Sequence, residues 1–340
     1  MRKVKWGILG AAKIARQKVV PAMLKGDLCE IVAIASRDRA KAQSAASELG
    51  VPKAYGSYEE MLADPEIEAI YNPLPNHLHV PWSIRAAEAG KHVLCEKPVG
   101  IDAAEVRQLI AARDRAGVLI GEAFMVQTHP QWVRIVELVR AGRIGQLRGA
   151  IGSFGYYNAD PANVRNNLAY GGGALMDIGC YPIKTSRMVF GEEPVRVSAT
   201  MVRDPNLTGV DALTSAVLEY PSGTCVFTCS MQIVPNQSMR FYGTKGCVAP
   251  EIPFNAIPGE VSRITIDDGR DLKGGGRVVE EFAPCDQYTI QGDTFSRAVR
   301  EGGQPAVPLE DSLRNMAAID AIVHAAKTGA WVKPAEFLGE

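Results

Sequence analysis

Val4-Lys5-Trp6-Gly7-Ile8-Leu9-Gly10-Ala11-Ala12-Lys13-Ile14-Ala15 carries an apolar run through a turn of small residues into a helical stretch. The spacing is Gly10-x-Ala12-x-x-Ala15, one glycine and two alanines at the three small positions of a dinucleotide fingerprint. Small side chains tighten this strand-to-helix turn and let backbone N–H groups approach a pyrophosphate at the positive end of the helix. A strand-to-helix turn that holds no ligand has the same composition, so the surrounding pattern has to decide.

Working outward, apolar runs at 4–9, 31–35, 69–72, 93–96 and 118–121, with a shorter one near Ala54, alternate with helical stretches. Continuous apolar character suits strands covered on both faces, as in a parallel sheet. Ser57-Tyr58-Glu59-Glu60 and Asp102-Ala103-Ala104-Glu105 place a capping residue three before a glutamate, a helix-start signature. Repeated strand–helix units predict right-handed crossovers and a doubly wound α/β Rossmann sheet over residues 1–123. After a helix predicted at 130–141, longer alternating segments appear at 147–157, 195–202, 212–220 and 224–233. Tyr220-Pro221-Ser222-Gly223 predicts an antiparallel hairpin between the last two. Further strands are expected near 239–242, 263–266 and 278–282, and helices near 174–190, 287–300 and 309–328. Residues 124–340 therefore read as an α+β domain on a large, mostly antiparallel sheet.

A chain of 340 residues suits two domains, and a formal net charge of -1 gives no reason to expect a nucleic-acid partner. No stretch reaches the roughly 18 uninterrupted apolar residues of a membrane span, and the start lacks a secretory pattern, so a cytoplasmic location is expected. Seven scattered cysteines do not form a disulfide framework. His77 with His79, and His92 with Cys95, lack further ligands at a recognised spacing, so no metal is expected.

The end of the second strand selects between nicotinamide cofactors. It carries Ser36-Arg37 rather than an acidic residue, and a hydroxyl beside a guanidinium suits a phosphate. NADP(H) is therefore preferred over NAD(H); the adjacent Asp38 is either a helix cap or a ribose ligand. Two further segments leave the carboxyl edge of the sheet, where ligands of open α/β sheets sit: Asn72-Pro73-Leu74-Pro75-Asn76-His77-Leu78-His79 and Cys95-Glu96-Lys97-Pro98. Lys97 would stand at a strand tip.

Together, the small-residue turn, Glu96-Lys97-Pro98 and Gly171-Gly172-Gly173-Ala174-Leu175-Met176-Asp177-Ile178-Gly179-Cys180-Tyr181-Pro182 resemble the glucose–fructose oxidoreductase / inositol dehydrogenase / rhizopine catabolism (Gfo/Idh/MocA) family. The likeness runs from Lys5 to about Thr328. Tyr181 makes the chain most similar to the branch of NADP-dependent D-xylose dehydrogenases and dimeric dihydrodiol dehydrogenases. The resemblance implies that Lys97 and Tyr181 act at the reacting carbon, with Asp177 orienting substrate or lysine. It also implies cofactor contacts from Gly10, Ala11, Ala12, Lys13, Ile14, Ser36, Arg37, Pro73, Pro75, Asn76, His79, Glu96 and Lys97. Phe124, His129 and Gln131 match the segment that crosses between domains, and Asn158 and Arg165 precede the glycines as further substrate candidates. On a helix, Asp177 and Tyr181 share a face, although Gly179 and Pro182 weaken that helix.

The leading expectation is an NADP-dependent dehydrogenase of an aldose or cyclic polyol. A trans-dihydrodiol dehydrogenase or dicarbonyl reductase uses the same residues, and a polar or apolar lining separates the two. A dinucleotide-binding sensor without turnover has no need of Lys97, Asp177 and Tyr181. An uncovered face of the second sheet predicts a homodimer or homotetramer.

Overall fold

The structure, a computed structural model, describes residues 2–339. Six parallel strands, β1 (Val4–Leu9), β2 (Cys29–Ala35), β3 (Lys53–Tyr55), β4 (Ala69–Asn72), β5 (His92–Glu96) and β6 (Ile120–Ala123), form one sheet in the order β3-β2-β1-β4-β5-β6. The order reverses between β1 and β4, which opens a crevice beyond the carboxyl ends of the strands. All four β4 residues are buried, as the unbroken apolar run requires. The last strand begins later than its apolar run. The helix Ala103–Ala116 ends at Gly117 with φ +65°, and two residues are spent reaching the sheet, where the Leu119 amide donates to His92 Nδ1 at 2.9 Å.

The second sheet has eight strands: β7 (Leu147–Tyr157), β8 (Arg196–Arg203), β9 (Asp211–Glu219), β10 (Thr224–Ser230), β11 (Gln232–Gly243), β12 (Gly246–Pro250), β13 (Ser262–Asp267) and β14 (Arg277–Phe282). Their order is β14-β13-β12-β11-β7-β10-β9-β8, antiparallel throughout except for the β7–β10 pair. The predicted hairpin is present, with Glu219 opposite Thr224 and the Tyr220 amide donating to the Gly223 carbonyl at 2.7 Å. The apolar run at 224–233 is two strands, not one. Ser230 Oγ donates to the Ala212 carbonyl at 2.8 Å and accepts from the Gln232 amide at 3.0 Å, turning the chain at Met231. Phe154, Phe227, Phe241 and Ile264 are buried on one face, whereas Ile151 and Val226 are 55% and 43% exposed on the other.

The chain divides into two compact units. One comprises the residues up to Ile101, Glu105–Thr128 and Asp286–Ser312; the other comprises Asp102–Ala104, His129–Cys285 and the residues from Leu313 on. The sequence boundary at 123/124 falls close to the Thr128–His129 passage, but the chain later returns to the first unit. Within that unit, the helix Gln287–Glu301 covers the start of β1. Trp6 Nε1 donates to Ser296 Oγ at 3.1 Å, and the indole lies 5.5 Å from the Phe295 ring. Asp293 accepts the amides of Asp27 and Leu28 at 3.0 and 2.9 Å. Burying an indole removes on the order of 200 Å² from water, roughly 5 kcal/mol before the entropy of ordering is subtracted. Among the described residues, no helix is long and apolar enough to cross a membrane.

Candidate active site

The first unit carries the fingerprint turn. Gly10 has φ +84°, a left-handed conformation that favours glycine, and its amide donates to the Ala35 carbonyl at 2.8 Å. A Cβ there would meet Leu74 Cδ2 at 3.0 Å, so the turn tolerates no bulk. The helix beyond is entered at Lys13, and Ala12 before it offers no capping side chain. Ala11, Ala12 and Ile14 are half-buried and Lys13 is exposed. A tight, small-residue turn feeding an uncapped helix start fits a dinucleotide phosphate.

Ser36 and Arg37 follow β2, with Arg37 exposed. Asp38 is a helix cap: its carboxylate accepts the amides of Ala40 and Lys41 at 3.0 and 3.3 Å, opening the helix Arg39–Leu49. The residue that sequence reasoning missed here is Tyr58. Its phenol oxygen lies 3.6 Å from where a Gly10 Cβ would stand. Burial raises the Tyr58 pKa while the neighbouring Arg37 guanidinium pulls it down. A tyrosine one residue after a helix cap looks like ordinary packing.

At the tips of β4 and β5 two loops are tied together. Asn72 Nδ2 donates to the His79 carbonyl at 3.0 Å and Asn72 Oδ1 accepts the Leu74 amide at 3.3 Å, holding Pro73-Leu74-Pro75 in place. His79 is buried, with Nδ1 2.7 Å from the Pro98 carbonyl and Nε2 2.6 Å from the Leu74 carbonyl. Both ring nitrogens face backbone oxygens, and the neutral ring, with one N–H, donates to one of them, so His79 braces the loops from behind instead of presenting its ring to a cofactor. Pro75, Asn76 and Lys97 keep some exposure, and the Lys97–Pro98 peptide is cis. Glu96 accepts the Tyr71 hydroxyl at 2.6 Å, and burial beside that carboxylate holds the Tyr71 pKa far above the usual phenol range. Glu122 Oε1 accepts the Val99 amide at 2.9 Å, fixing the strand exit just past Lys97. Phe124, expected beside substrate, is packed in the core at 1% exposure.

The second unit holds the Asp177–Tyr181 segment. The chain forms a π-helical turn over Leu175–Gly179 and continues as an α-helix over Cys180–Phe190. The wider turn falls where Gly179 and Pro182 weaken regular helix. Asp177 accepts Tyr156 Oη at 2.6 Å and Arg165 Nε at 2.9 Å. Arg165 and Asp177 are thus brought together as expected candidates. Tyr156 was missed, because an alternating strand gives no sign of which tyrosine meets a carboxylate. Burial and the Asp177 charge push the Tyr156 pKa up. Tyr181 is packed between Phe154 and Phe254, with centroids 5.6 and 5.4 Å away.

His129 and Asn158 have other work. His129 is the cap of the helix Pro130–Arg140, its Nδ1 accepting the Gln131 amide at 3.3 Å; Nε2 lies 3.6 Å from Cys285 Sγ. Gln131 is buried and donates to the Ile252 carbonyl at 2.9 Å. Asn158 Oδ1 accepts from the Asp160 amide and from Asn166 Nδ2, each at 3.2 Å, shaping the loop before the glycines. Among the described residues, no three His, Cys, Asp or Glu side chains are grouped to hold a metal ion.

Comparison with known proteins agrees with this chemistry. A model of the oxidoreductase family with an NAD-binding Rossmann fold matches residues 4–124, and a GFO/IDH/MocA C-terminal domain matches residues 132–249. A D-xylose 1-dehydrogenase (NADP(+)) of Haloferax volcanii is 41% identical over 96% of this chain and 99% of that protein. A mouse (Mus musculus) trans-1,2-dihydrobenzene-1,2-diol dehydrogenase is 38% identical over 72% of this chain and 73% of its own length. The crystal structure of an aldose–aldose oxidoreductase from Caulobacter crescentus, complexed with glycerol, superposes with a TM-score of 0.89 at 29% identity, covering 98% of this chain and 100% of that one. This chain is an NAD(P)-binding oxidoreductase that belongs to the GFO/IDH/MocA family.

Proposed function

We propose that the chain is an NADP-dependent dehydrogenase of an aldose or cyclic polyol, taking hydride from a CH–OH carbon. The observation that carries this reading is the Asp177–Arg165–Tyr156 cluster beside the Tyr181 segment: a carboxylate, a guanidinium and a phenol held together suit a substrate rich in hydroxyls. The Haloferax relative, named for D-xylose and NADP, supports both substrate class and cofactor. Ser36-Arg37 supports the phosphate-bearing cofactor from the sequence side, now that Asp38 is committed to its helix.

Gly10, Ala11, Ala12, Lys13 and Ile14 would hold the pyrophosphate, Ser36 and Arg37 the ribose phosphate, and Pro73, Pro75, Asn76 and Glu96 the nicotinamide end. The bound dinucleotide supplies hydride acceptance. Tyr181 exchanges a proton with the substrate oxygen. Lys97 also hydrogen-bonds that oxygen and stabilises charge developing on it. Asp177 orients the substrate. Phe124 and His129 have no part in this assignment.

A second reading, trans-dihydrodiol oxidation or dicarbonyl reduction, is favoured by the Phe154–Tyr181–Phe254 ring cluster and by the mouse relative. Under either reading the exposed face of the second sheet, with Ile151 beside Val226, pairs with a second copy to give a homodimer or homotetramer.

The test is a screen of pentoses, hexoses, inositols and dihydrodiols with NADP+ and NAD+, following reduced-cofactor absorbance. Aldose turnover with NADP+ is expected, and Lys97→Met should lose most of it while still binding NADPH. Equal rates with both cofactors remove the Ser36-Arg37 argument. Full activity of Lys97→Met removes the catalytic assignment, and cofactor binding with no turnover of any substrate points to a sensor.

A further inference from the structure

The helix that carries Asp177 and Tyr181 begins without a cap of its own. Ala174 offers no side-chain acceptor, and the residues before it are three glycines. The acceptor comes instead from 36 residues further along the chain. Asp211, the buried first residue of β9, accepts the Leu175 amide at 2.8 Å and Thr214 Oγ1 at 2.7 Å, both through Oδ2. Its other oxygen fills the space beside Gly173, where φ is +122° and a Cβ would collide with Asp211 Oδ1. Gly173 is also the node of the Asp177 cluster. Its amide donates to the Arg165 carbonyl at 2.8 Å, and its carbonyl accepts the Asp177 amide at 3.0 Å. One turn therefore connects Asp211 to both partners of the Arg165–Asp177 ion pair.

We propose that Asp211 is a positioning residue for the reaction: it caps the helix across the sheet, sets the path of the glycine turn, and so fixes where Asp177 and Tyr181 stand. This rests on the catalytic assignment of those two residues. A buried carboxylate is a costly way to fill space, and burial pushes the Asp211 carboxyl up to about 6. The cost has a function if the acceptor must reach an amide that no local residue can cap. An asparagine oxygen has two lone pairs and can serve both donors, whereas alanine leaves Leu175 N–H and the Thr214 hydroxyl without that acceptor.

The experiment compares Asp211→Ala, Asp211→Asn and Thr214→Val, using D-xylose with NADP+ for turnover and calorimetry with NADPH for binding. Asp211→Ala should lower kcat by about 30-fold or more, with NADPH affinity changed less than about twofold. Asp211→Asn should recover to within about fivefold of the parent, and Thr214→Val should lose about threefold. In a background carrying Asp177→Asn, Asp211→Ala should cost much less than it does alone, because the two act through one turn. Should Asp211→Ala not fold, the comparison of Asp211→Asn and Thr214→Val in the two backgrounds decides the matter. Undiminished kcat in Asp211→Ala, or losses fully additive with Asp177→Asn, overturns the proposal. If Tyr181→Phe and Asp177→Asn are themselves as active as the parent, the catalytic assignment has failed instead.

Discussion

The imidazole of His79 stands 2.7 Å from the carbonyl oxygen of Pro98, joining the loop after β4 to the turn that presents Lys97. The other ring nitrogen meets Leu74 O at 2.6 Å. The two carbonyls favour a charged ring, but burial opposes it more strongly, and the pKa falls to about 4. His79→Ala removes the brace and leaves two carbonyls facing a cavity. The expected cost is about 2–4 kcal/mol of stability, read from urea unfolding of the first unit. In the variant that remains folded, kcat should fall more than NADPH affinity, because the loose element is the Lys97 turn. Equal losses in both would show the brace serving the cofactor.

Tyr156 and Asp177 give a second prediction. The phenol donates to Oδ2 while Arg165 donates to Oδ1, so both carboxylate oxygens are held by partners from other segments. Tyr156→Phe removes one bond without opening a cavity. Losing a hydrogen bond to a charged group costs about 1.5–3 kcal/mol, which predicts a fall in kcat/KM of about 10- to 100-fold. The loss should fall mainly on KM if Asp177 orients ground-state substrate, and mainly on kcat if it acts only in the transition state. Unchanged kinetics would make the cluster a structural device.

The parallel sheet was legible because its strands are short, continuous apolar runs; β1 and β4, and the helix Leu309–Thr328, begin and end where the pattern puts them. What the pattern lacked was long-range information. Trp6 and Ser296 are 290 residues apart, so local periodicity could not attach the helix Gln287–Glu301 to the first unit. β12 was not anticipated, because Gly246, Cys247 and Pro250 give five residues little strand character. Lys97, Asp177 and Tyr181 stood out through their motifs, whereas Tyr58, Tyr156 and Asp211 act through partners that no spacing rule connects. His129 shows the converse. A residue just before Pro130 is as readable as a helix cap as it is as a ligand, and the cap is what folds.

The outer face of the second sheet supplies a third prediction. Ile151 on β7 pairs with Val226 on β10, which pairs with Val217 on β9, forming an apolar stripe across three strands. Hydroxyl pairs flank it: Ser153 with Ser238 at 2.9 Å and Ser215 with Thr228 at 2.8 Å. Such an apolar stripe, bordered by hydroxyls and by the exposed Arg240 paired with Ile151, is suited to a matching copy. Ile151→Lys with Val226→Lys should give a monomer by sedimentation velocity with its circular dichroism intact. A parent chain that already sediments as a monomer would sink the assignment.

Acid should weaken the first unit before the second. His79 and His129 both titrate near 4 in the folded chain, against 6.5 for an ordinary ring, because burial disfavours the charged form. The unfolded chain therefore binds more protons between these values, and the stability present above 6.5 is lost as pH falls toward 4. Each ring contributes up to about 3 kcal/mol. Asp211 has the opposite sign: its folded value of about 6 exceeds the ordinary 3.8, so the folded chain binds the extra proton and gains stability as pH falls through the same window. His129 and Asp211 both lie in the second unit and nearly cancel, whereas His79 lies in the first, where Asp64, held down to about 2 against burial by bonds from Lys53 and Tyr55, adds to the loss in acid. Hydrogen exchange at pH 4.5 against pH 7 should show β4 and β5 losing protection while β7 and β10 keep theirs. Asp211→Asn removes the offset and should make the second unit acid-sensitive as well. Uniform protection loss in the parent chain would mean that other groups govern the acid response.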